Sequence, residues 1–232
     1  MNINVNLSVI IPSYLEEENL RIILPRLRNE MQKLGDNYEI LIIDTMRAMD
    51  NTKDVCKDNN VIYFNRNTGN NYGDAIRMGI KLAEGEYIIF MDADGSHSPE
   101  FIKNLYQYRN DYDVIIASRY IEGGATDNNS VLIFMSWVVN FIYSKVLNLN
   151  CKDVSNSFKL YKKDLLKKLN LNCNNFDIVE EILFKSKKIN ENLKIKEVPF
   201  SFKKRMFGKT KRNLLIFTIF YIFTLLKLRF WK

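Results

Sequence analysis

The chain opens with a short β-branched run, Leu7 to Ile11 (LSVII), stopped by Pro12. A run of this kind between polar flanks predicts a buried strand. From Glu16 to Leu34 the apolar residues Leu20, Ile23, Leu24, Leu27, Met31 and Leu34 recur at helical spacing, so a helix is expected there. The alternation then repeats. Strands are predicted at Glu39 to Ile43, Val61 to Phe64, Tyr87 to Met91 and Val114 to Ala117, with helices at Thr52 to Lys57, Asp74 to Ala83 and Pro99 to Tyr108 between them. Near-continuous apolar strands alternating with helices imply an α/β fold, with a mostly parallel sheet covered on both faces and ligands bound beyond the carboxyl ends of its strands. Functional groups are therefore expected just after Ile11, Ile43, Phe64, Met91 and Ala117.

Beyond Tyr120 the rhythm changes. A polar loop from Glu122 to Ser130 leads to an apolar helix, Val131 to Leu147, and further helices are predicted near Lys162 to Leu169 and at Ile178 to Ile189. A last strand falls around Ile195 to Val198. No repeat or linker marks a second domain, so the expectation is one domain over 1–212 and a C-terminal helix over 213–232. In that helix Leu214 to Leu226 (LLIFTIFYIFTLL) is thirteen uncharged residues. At ~1.5 Å per residue it is roughly 20 Å long, short against a hydrocarbon core of ~30 Å. Basic residues on both sides and Trp231 suit a helix lying in an anionic membrane interface, the alternative being an ordinary buried helix. The stretch Val131 to Tyr143 presents the same choice.

Composition narrows the class. With 47% hydrophobic and 26% charged residues and only 9 Gly and 4 Pro among 232, the chain is neither disordered nor fibrous. Cys56, Cys151 and Cys173 are odd in number and widely spaced, which supports neither a disulfide framework nor a zinc site and favours a reducing compartment. The N-terminus lacks the basic region of a signal peptide. The net charge of +7 is unevenly distributed: Lys194 to Lys232 holds eleven basic residues and one acid, leaving the first 193 residues slightly acidic. A nucleic-acid coat is disfavoured, and an anionic partner for the tail is implied.

The segment Gly85 to Glu100 (GEYIIFMDADGSHSPE) carries the most chemistry. A hydrophobic strand ends in Asp92-Ala93-Asp94, and extended residues two apart project to one side, so both carboxylates can face one point beyond the sheet. Such a pair suits Mg²⁺ or Mn²⁺, leaving coordination positions open for a diphosphate. His97, the single histidine, is either a further ligand, a support for the ligands or a helix-entry residue. With one histidine, no Ser-His-Asp or Cys-His set is available, and phosphoryl or glycosyl transfer remains. At other strand ends Pro12, Tyr14 and Glu16 offer a rigid turn, an aromatic face and a carboxylate. Asp44 can accept from a base or ribose, and Arg119, Arg205, Lys209 and Lys211 are anion partners.

Taken in order, PSYLEE, EILIIDTMRAMDNT, NYGDAIRMGI, GEYIIFMDADGSHSPEFI, DVIIASRY, DVSNSFKLYKKDLL and EVPFSFKKRMFGKTK resemble the family 2 glycosyltransferases, in particular the dolichol- or polyprenyl-phosphate mannosyltransferase branch. The resemblance implies a GT-A fold, a nucleotide-sugar donor, a divalent metal, and inverting transfer to the phosphate of a polyprenol at the cytoplasmic face of a membrane. Position by position it places Pro12, Tyr14, Glu16 and Asp44 at the nucleotide and Asp92 and Asp94 at the metal. Arg119, Arg205 and Lys211 fall at diphosphate or acceptor phosphate, Ser157 and Lys159 where the family usually reads SGFR, and Glu181 at its late acidic position. The chain departs from the family at Asp44 to Thr52, which lacks the second Asp of the usual pair and bears on base recognition. Trp137 and Lys159 also stand where arginines are usual. A UDP-sugar donor, a saccharide acceptor and an inactive nucleotide-binding module are the other readings; a hydroxyl acceptor would need a general base, for which Glu181 is the one candidate.

Overall fold

The structure is a computed structural model and describes residues 5–208 and 223–230. Its centre is a seven-stranded sheet in the order β3-β2-β1-β4-β7-β5-β8. The strands are β1 (Leu7–Pro12), β2 (Tyr38–Asp44), β3 (Ile62–Asn65), β4 (Tyr87–Phe90), β5 (Val114–Ser118), β7 (Lys159–Lys162) and β8 (Ile195–Pro199). All pair in parallel except β7, which is antiparallel to both β4 and β5. A second, two-stranded sheet joins β6 (Ala125–Thr126) to β9 (Ser201–Phe202). The mostly parallel α/β architecture expected from the alternation is present.

The strands are apolar on both sides because both faces are covered. On one face Val9, Ile11, Ile40, Ile42, Ile89 and Ile115 pack under α1 (Glu17–Leu34), α2 (Thr52–Asp58) and α4 (Ile102–Tyr106). On the other, Ile10, Leu41, Ile43, Ile88, Phe90 and Ile116 pack under α3 (Tyr72–Leu82) and α7 (Ile178–Ile189). Neighbouring residues of one strand thus divide between two cores, as period two requires. Helix α3 comes close to the sheet at Gly79, where an added Cβ would lie 2.4 Å from Ile10 Cγ2.

Several boundaries differ from expectation. The helix expected at Pro99 to Tyr108 is a 3-10 turn, Pro99–Phe101, running into α4, with Pro99 at the first position, where no backbone N–H is called on. The helix expected from Lys162 is α6 (Lys163–Lys167), and the four residues before it form β7. Helix α5 spans Ser130–Val146. Of the C-terminal helix, residues 214–222 and the 212/213 boundary lie outside the described residues. Residues 223–230 are helical, with Leu225 and Leu228 in the core beside Tyr143. No helix among the described residues is long and apolar enough to cross a membrane.

Two features fix where a ligand can bind. The chain runs outward from β1 to β2 and β3, then crosses back to lay β4 on the other side of β1, so the connections diverge at the β1/β4 boundary. Such a reversal leaves a crevice beyond the carboxyl ends of those two strands. Antiparallel β7 begins at that same edge, with Lys159 paired to Phe90 of β4 and to Ile116 of β5, so the loop before it, residues 153–158, joins the strand ends there. Replacing Gly79 with Val is expected to lower unfolding free energy in urea by about 1–3 kcal/mol through overpacking against Ile10, with little change in far-UV circular dichroism.

Candidate active site

Three loops follow β1, β2 and β3, and one buried side chain ties them together. The guanidinium of Arg66 donates from Nε to Asp44 O at 2.9 Å, from Nη1 to Asn70 O at 2.9 Å and Asn71 O at 2.8 Å, and from Nη2 to Ser13 O. Every partner is a backbone carbonyl, so one buried guanidinium ties the three loops together through main-chain atoms. Asp44, also buried, accepts from Tyr63 Oη at 2.9 Å, and burial raises its carboxyl above the usual range. Tyr14 is partly exposed on the first loop, and Leu15 beside it adopts a positive φ of 56°.

Beyond β4, Asp92 and Asp94 lie in a loop held from beneath. His97 is wholly buried, stacked on Phe158 at 4.7 Å between ring centroids, and its Nδ1 accepts from the backbone N of Asp92 at 2.9 Å. That bond leaves the ring proton on Nε2, which is 3.9 Å from Asp92 Oδ2. Burial lowers the His97 pKa and keeps the ring neutral, so it supports the loop rather than projecting outward. Tyr72 Oη donates to Asp92 Oδ1 at 3.2 Å, and its ring is stacked on Phe176. Asp94 Oδ1 accepts from both the backbone N and the hydroxyl of Ser96. Burial acts to raise the Asp94 carboxyl, but the Ser96 bonds and the nearby Arg205 charge hold it below the ordinary value.

The segment after β9 folds back over this loop. Lys203 N donates to Ser96 O at 3.2 Å and Met206 N to Asp94 O at 2.9 Å, while Met206 covers Gly95, which has a positive φ of 83°. Arg205 thereby reaches Glu16 with Nη1 and Nη2 at 3.0 and 2.8 Å, and its Nε is 3.4 Å from Asp94 Oδ2. Asn19 completes the junction, donating to Glu16 Oε2 at 2.6 Å and accepting from Phe207 N at 3.1 Å. Beyond β5, Arg119 grips Asp153 with Nε and Nη2, both at 2.8 Å, and Nη2 also reaches Ser155 Oγ at 3.0 Å. Its guanidinium lies over the Phe202 ring, which meets His97 edge-on.

Glu16, Asp92, Asp94 and Arg205 are therefore brought together at the β1/β4 crevice, with Arg119 on its far side, and Asp44 and Tyr14 stand at the neighbouring strand ends. Other candidates are placed differently. Lys159 is fully buried, and its Nζ donates to Val154 O and Asn156 O; it braces the 153–158 loop and does not face a phosphate. Its inward turn follows from its place on β7, between β4 and β5. Glu181 is also buried and accepts from Asn172 N, Cys173 N and Lys185 Nζ, so its carboxylate is committed to a loop and a neighbouring lysine. Ser157 is buried at the loop's end, and Lys211 lies outside the described residues.

Arg66, Tyr72 and Asp153 were not singled out from the sequence. Arg66 stands directly after a strand, which is a usable signal, but its partners are backbone atoms and leave no spacing to read. Asp153 sits in the DVSNSF stretch, and its role appears only when that loop meets β5. Among the described residues no group of three or more His, Cys, Asp and Glu could hold a metal by itself. Asp92 and Asp94 nonetheless fit a hard divalent cation. They supply carboxylate oxygens on one loop, with Asp94 Oδ2 3.4 Å from the Arg205 cation, and Mg²⁺ commonly takes only one or two carboxylates and completes its shell with phosphate.

The family model for glycosyl transferase family 2 matches residues 8–170, and the chain belongs to that family. A dolichol-phosphate mannosyltransferase of Pyrococcus furiosus is 32% identical over 212 residues, covering 88% of this chain and 58% of that protein. An undecaprenyl-phosphate mannosyltransferase of Micrococcus luteus is 28% identical, covering 88% of this chain and 86% of that one. The chain thus spans little more than half of the first relative and most of the second. A crystal structure of glucosyl-3-phosphoglycerate synthase from Mycobacterium tuberculosis with Mn²⁺, UDP and glucosyl-3-phosphoglycerate superposes with a TM-score of 0.72 at 14% identity, covering 97% of this chain and 80% of that one. That likeness establishes the shared GT-A fold.

Asp153 is wholly buried, and although burial acts to raise its carboxyl, the Arg119 charge and hydrogen bonds hold it below the ordinary value. A depressed folded value gives stability above the unfolded pKa of about 4 and loses it as pH falls. Asp153→Ala should cost about 3–5 kcal/mol near neutral pH by leaving Arg119 without its counter-ion. The urea midpoint of the wild type should also fall more steeply below about pH 4 than that of the variant.

Proposed function

We propose that this protein transfers a sugar with inversion from a nucleotide-sugar donor, GDP-mannose favoured, to a polyprenyl phosphate at the cytoplasmic surface of a membrane. The observation that carries the reading is the convergence of Asp92, Asp94, Glu16 and Arg205 at the β1/β4 crevice, with Arg119 fixed beyond β5. Two relatives named for polyprenol-phosphate mannosyl transfer support the choice of substrate class.

In this reading Pro12, Tyr14, Glu16 and Asp44 receive the nucleotide, and Asp92 and Asp94 hold Mg²⁺ or Mn²⁺. The bound cation neutralises charge on the departing diphosphate. Tyr72 and His97 keep Asp92 in place, one at its carboxylate and the other at its backbone. Arg119 and Arg205, with Lys211 and Ser157, receive the anionic groups of donor and acceptor. A phosphate oxygen of the acceptor attacks the anomeric carbon from the face opposite the diphosphate. As the new C–O bond forms, the bond to the diphosphate breaks and the nucleoside diphosphate leaves. An ionised phosphate needs no general base, which agrees with the commitment of Glu181 elsewhere and the interior position of His97. The protein's contribution is orientation and charge stabilisation.

Glu16 and Asp94 are balanced by Arg205 in the ligand-free protein. Asp92 and Asp94 would hold the cation, which would relieve Asp94 of its dependence on Arg205, and the guanidinium would then be free to meet substrate phosphate. The test is incubation with GDP-mannose, UDP-glucose or UDP-GlcNAc, Mg²⁺ or Mn²⁺, and short polyprenyl phosphates, followed by extraction of a mild-acid-labile glycolipid. GDP-mannose should give product, and Asp94→Ala should abolish it while leaving the unfolding transition in place. Unchanged turnover in that variant would remove the metal assignment, and no product from any pairing would remove the transferase reading.

A further inference from the structure

Strand β3 lies at the outer edge of the sheet, and its last residue, Asn65, stands in register with Asp44 of β2. Asn65 is exposed, yet its side chain is fixed. Nδ2 donates to Thr45 O at 2.7 Å and to Tyr63 Oη at 3.0 Å, and Tyr63 Oη in turn donates to Asp44 Oδ2 at 2.9 Å. A carbonyl oxygen can only accept, and the Tyr63 proton is already given to Asp44, so both partners require the amide nitrogen of Asn65 and not its oxygen. The amide is therefore locked in one sense. Among the described residues no group donates to its Oδ1.

We propose that Asn65 selects the base of the donor nucleotide, its Oδ1 accepting from the exocyclic amino group of a guanine whose ring N–H is received by the Asp44 carboxylate. The proposal rests on the nucleotide-sugar reading and adds which residue chooses the base. Asp44 and Asn65 Oδ1 are both acceptors, and paired strands lie only ~4.8 Å apart, so a base that meets both must offer two adjacent donors. Guanine does so, with N1–H beside its 2-amino group. Uracil has one donor flanked by two carbonyl oxygens, and adenine and cytosine each set a ring acceptor beside their amino group. Any of these would bring an acceptor against Asp44 or Asn65, where it stays unpaired. Asp44 has room for the ring N–H: a carboxylate offers about four acceptor positions, and here Tyr63 and the Thr45 amide are its hydrogen-bond donors.

The surroundings suit a flat aromatic ligand. Met46 and Met49, on the loop directly after Asp44, are 48% and 49% exposed, and Tyr14, on the loop after β1, is 36% exposed. Exposed unbranched apolar side chains at a strand end offer deformable surface for the faces of a base. The loop that carries the methionines is itself fixed to the next one, since Met46 N donates to Asn70 Oδ1 at 2.8 Å. Arg66, directly after Asn65, donates to Asp44 O at 2.9 Å. The two acceptors are thus set on the ends of paired strands, as discrimination by hydrogen bonding requires.

The test is calorimetric titration of the full chain, in Mg²⁺, with GDP, IDP and UDP, where IDP is GDP without the 2-amino group. The wild type should bind GDP roughly tenfold more tightly than IDP, and should prefer both to UDP. In Asn65→Ala the ratio between GDP and IDP should fall to about one. A merely structural role for Asn65, through Thr45 and Tyr63, would weaken GDP and IDP by the same factor and keep their ratio; that result overturns the proposal. Equal binding of GDP and IDP by the wild type, or tighter binding of UDP, does the same. The transferase reading stands or falls separately. Glycolipid formed from a UDP-sugar alone would sustain that reading and sink this one, whereas a folded chain that binds none of the three nucleotides would sink both.

Discussion

The ion pair between Glu16 and Arg205 joins residues 189 positions apart and closes the site. One lies just beyond the first strand, the other in the segment that returns after the last. Their bidentate contact, extended to Asp94 at 3.4 Å, decides where the returning segment lies over the Asp92–Asp94 loop. The constraint behind it is electrostatic. A parallel sheet delivers its strand-end side chains to one edge, and here four of them, Glu16, Asp44, Asp92 and Asp94, are acids. Partly buried carboxylates at close range need a counter-charge. Arg205 supplies it.

The neighbouring arginines follow the same logic with different acceptors. Arg66 takes up carbonyls from the loops after β1, β2 and β3, so these loops have a common anchor and no need of a ligand to hold them. Arg119 has a carboxylate, Asp153, which is itself held by the backbone N of Arg119 and whose own backbone N donates to Glu197. The rigid fork of a guanidinium fits each of these arrangements, which an ammonium could not reproduce. Lys159 shows the contrast, since its point charge is satisfied by two carbonyls in the interior of the sheet. A scaffold held in this way can expose Asp92 and Asp94 to solvent and ligand without losing their position.

Much of this was legible in the sequence where the signal is local. The run LSVII, the helical spacing after Glu16 and the Asp-Ala-Asp at a strand end depend on near neighbours, and each was read in its place. Strand β7 was missed because its four residues, KLYK, carry too little apolar periodicity beside the helix that follows. Its existence depends on β4 and β5 leaving a gap between them. Lys159 is expected near substrate phosphate because it stands where the family has an arginine; the pairing of β7 on both sides places it in the interior. Glu181 is expected at the family's late acidic position and as the one candidate base, and only the fold shows the Asn172 and Cys173 amides that occupy it. The roles of Arg66 and Asp153 rest on contacts between distant segments. The C-terminal helix is expected from its hydropathy either at a membrane interface or as a buried helix; in its described part Leu225 and Leu228 are buried while Phe223, Leu226 and Phe230 are exposed.

The central claim is that the loops beyond β1, β2, β4 and β5 form one site for a nucleoside diphosphate and a divalent cation. Paramagnetic broadening by Mn²⁺ tests it directly, in amide spectra of the ¹⁵N-labelled full chain with GDP. The account predicts that added Mn²⁺ broadens resonances of Ser13 to Glu16, Asp92 to His97 and Arg205 to Phe207 first, and that Mg²⁺ restores them. Broadening that begins elsewhere, or the same pattern in a chain carrying Asp92→Ala and Asp94→Ala, would contradict it.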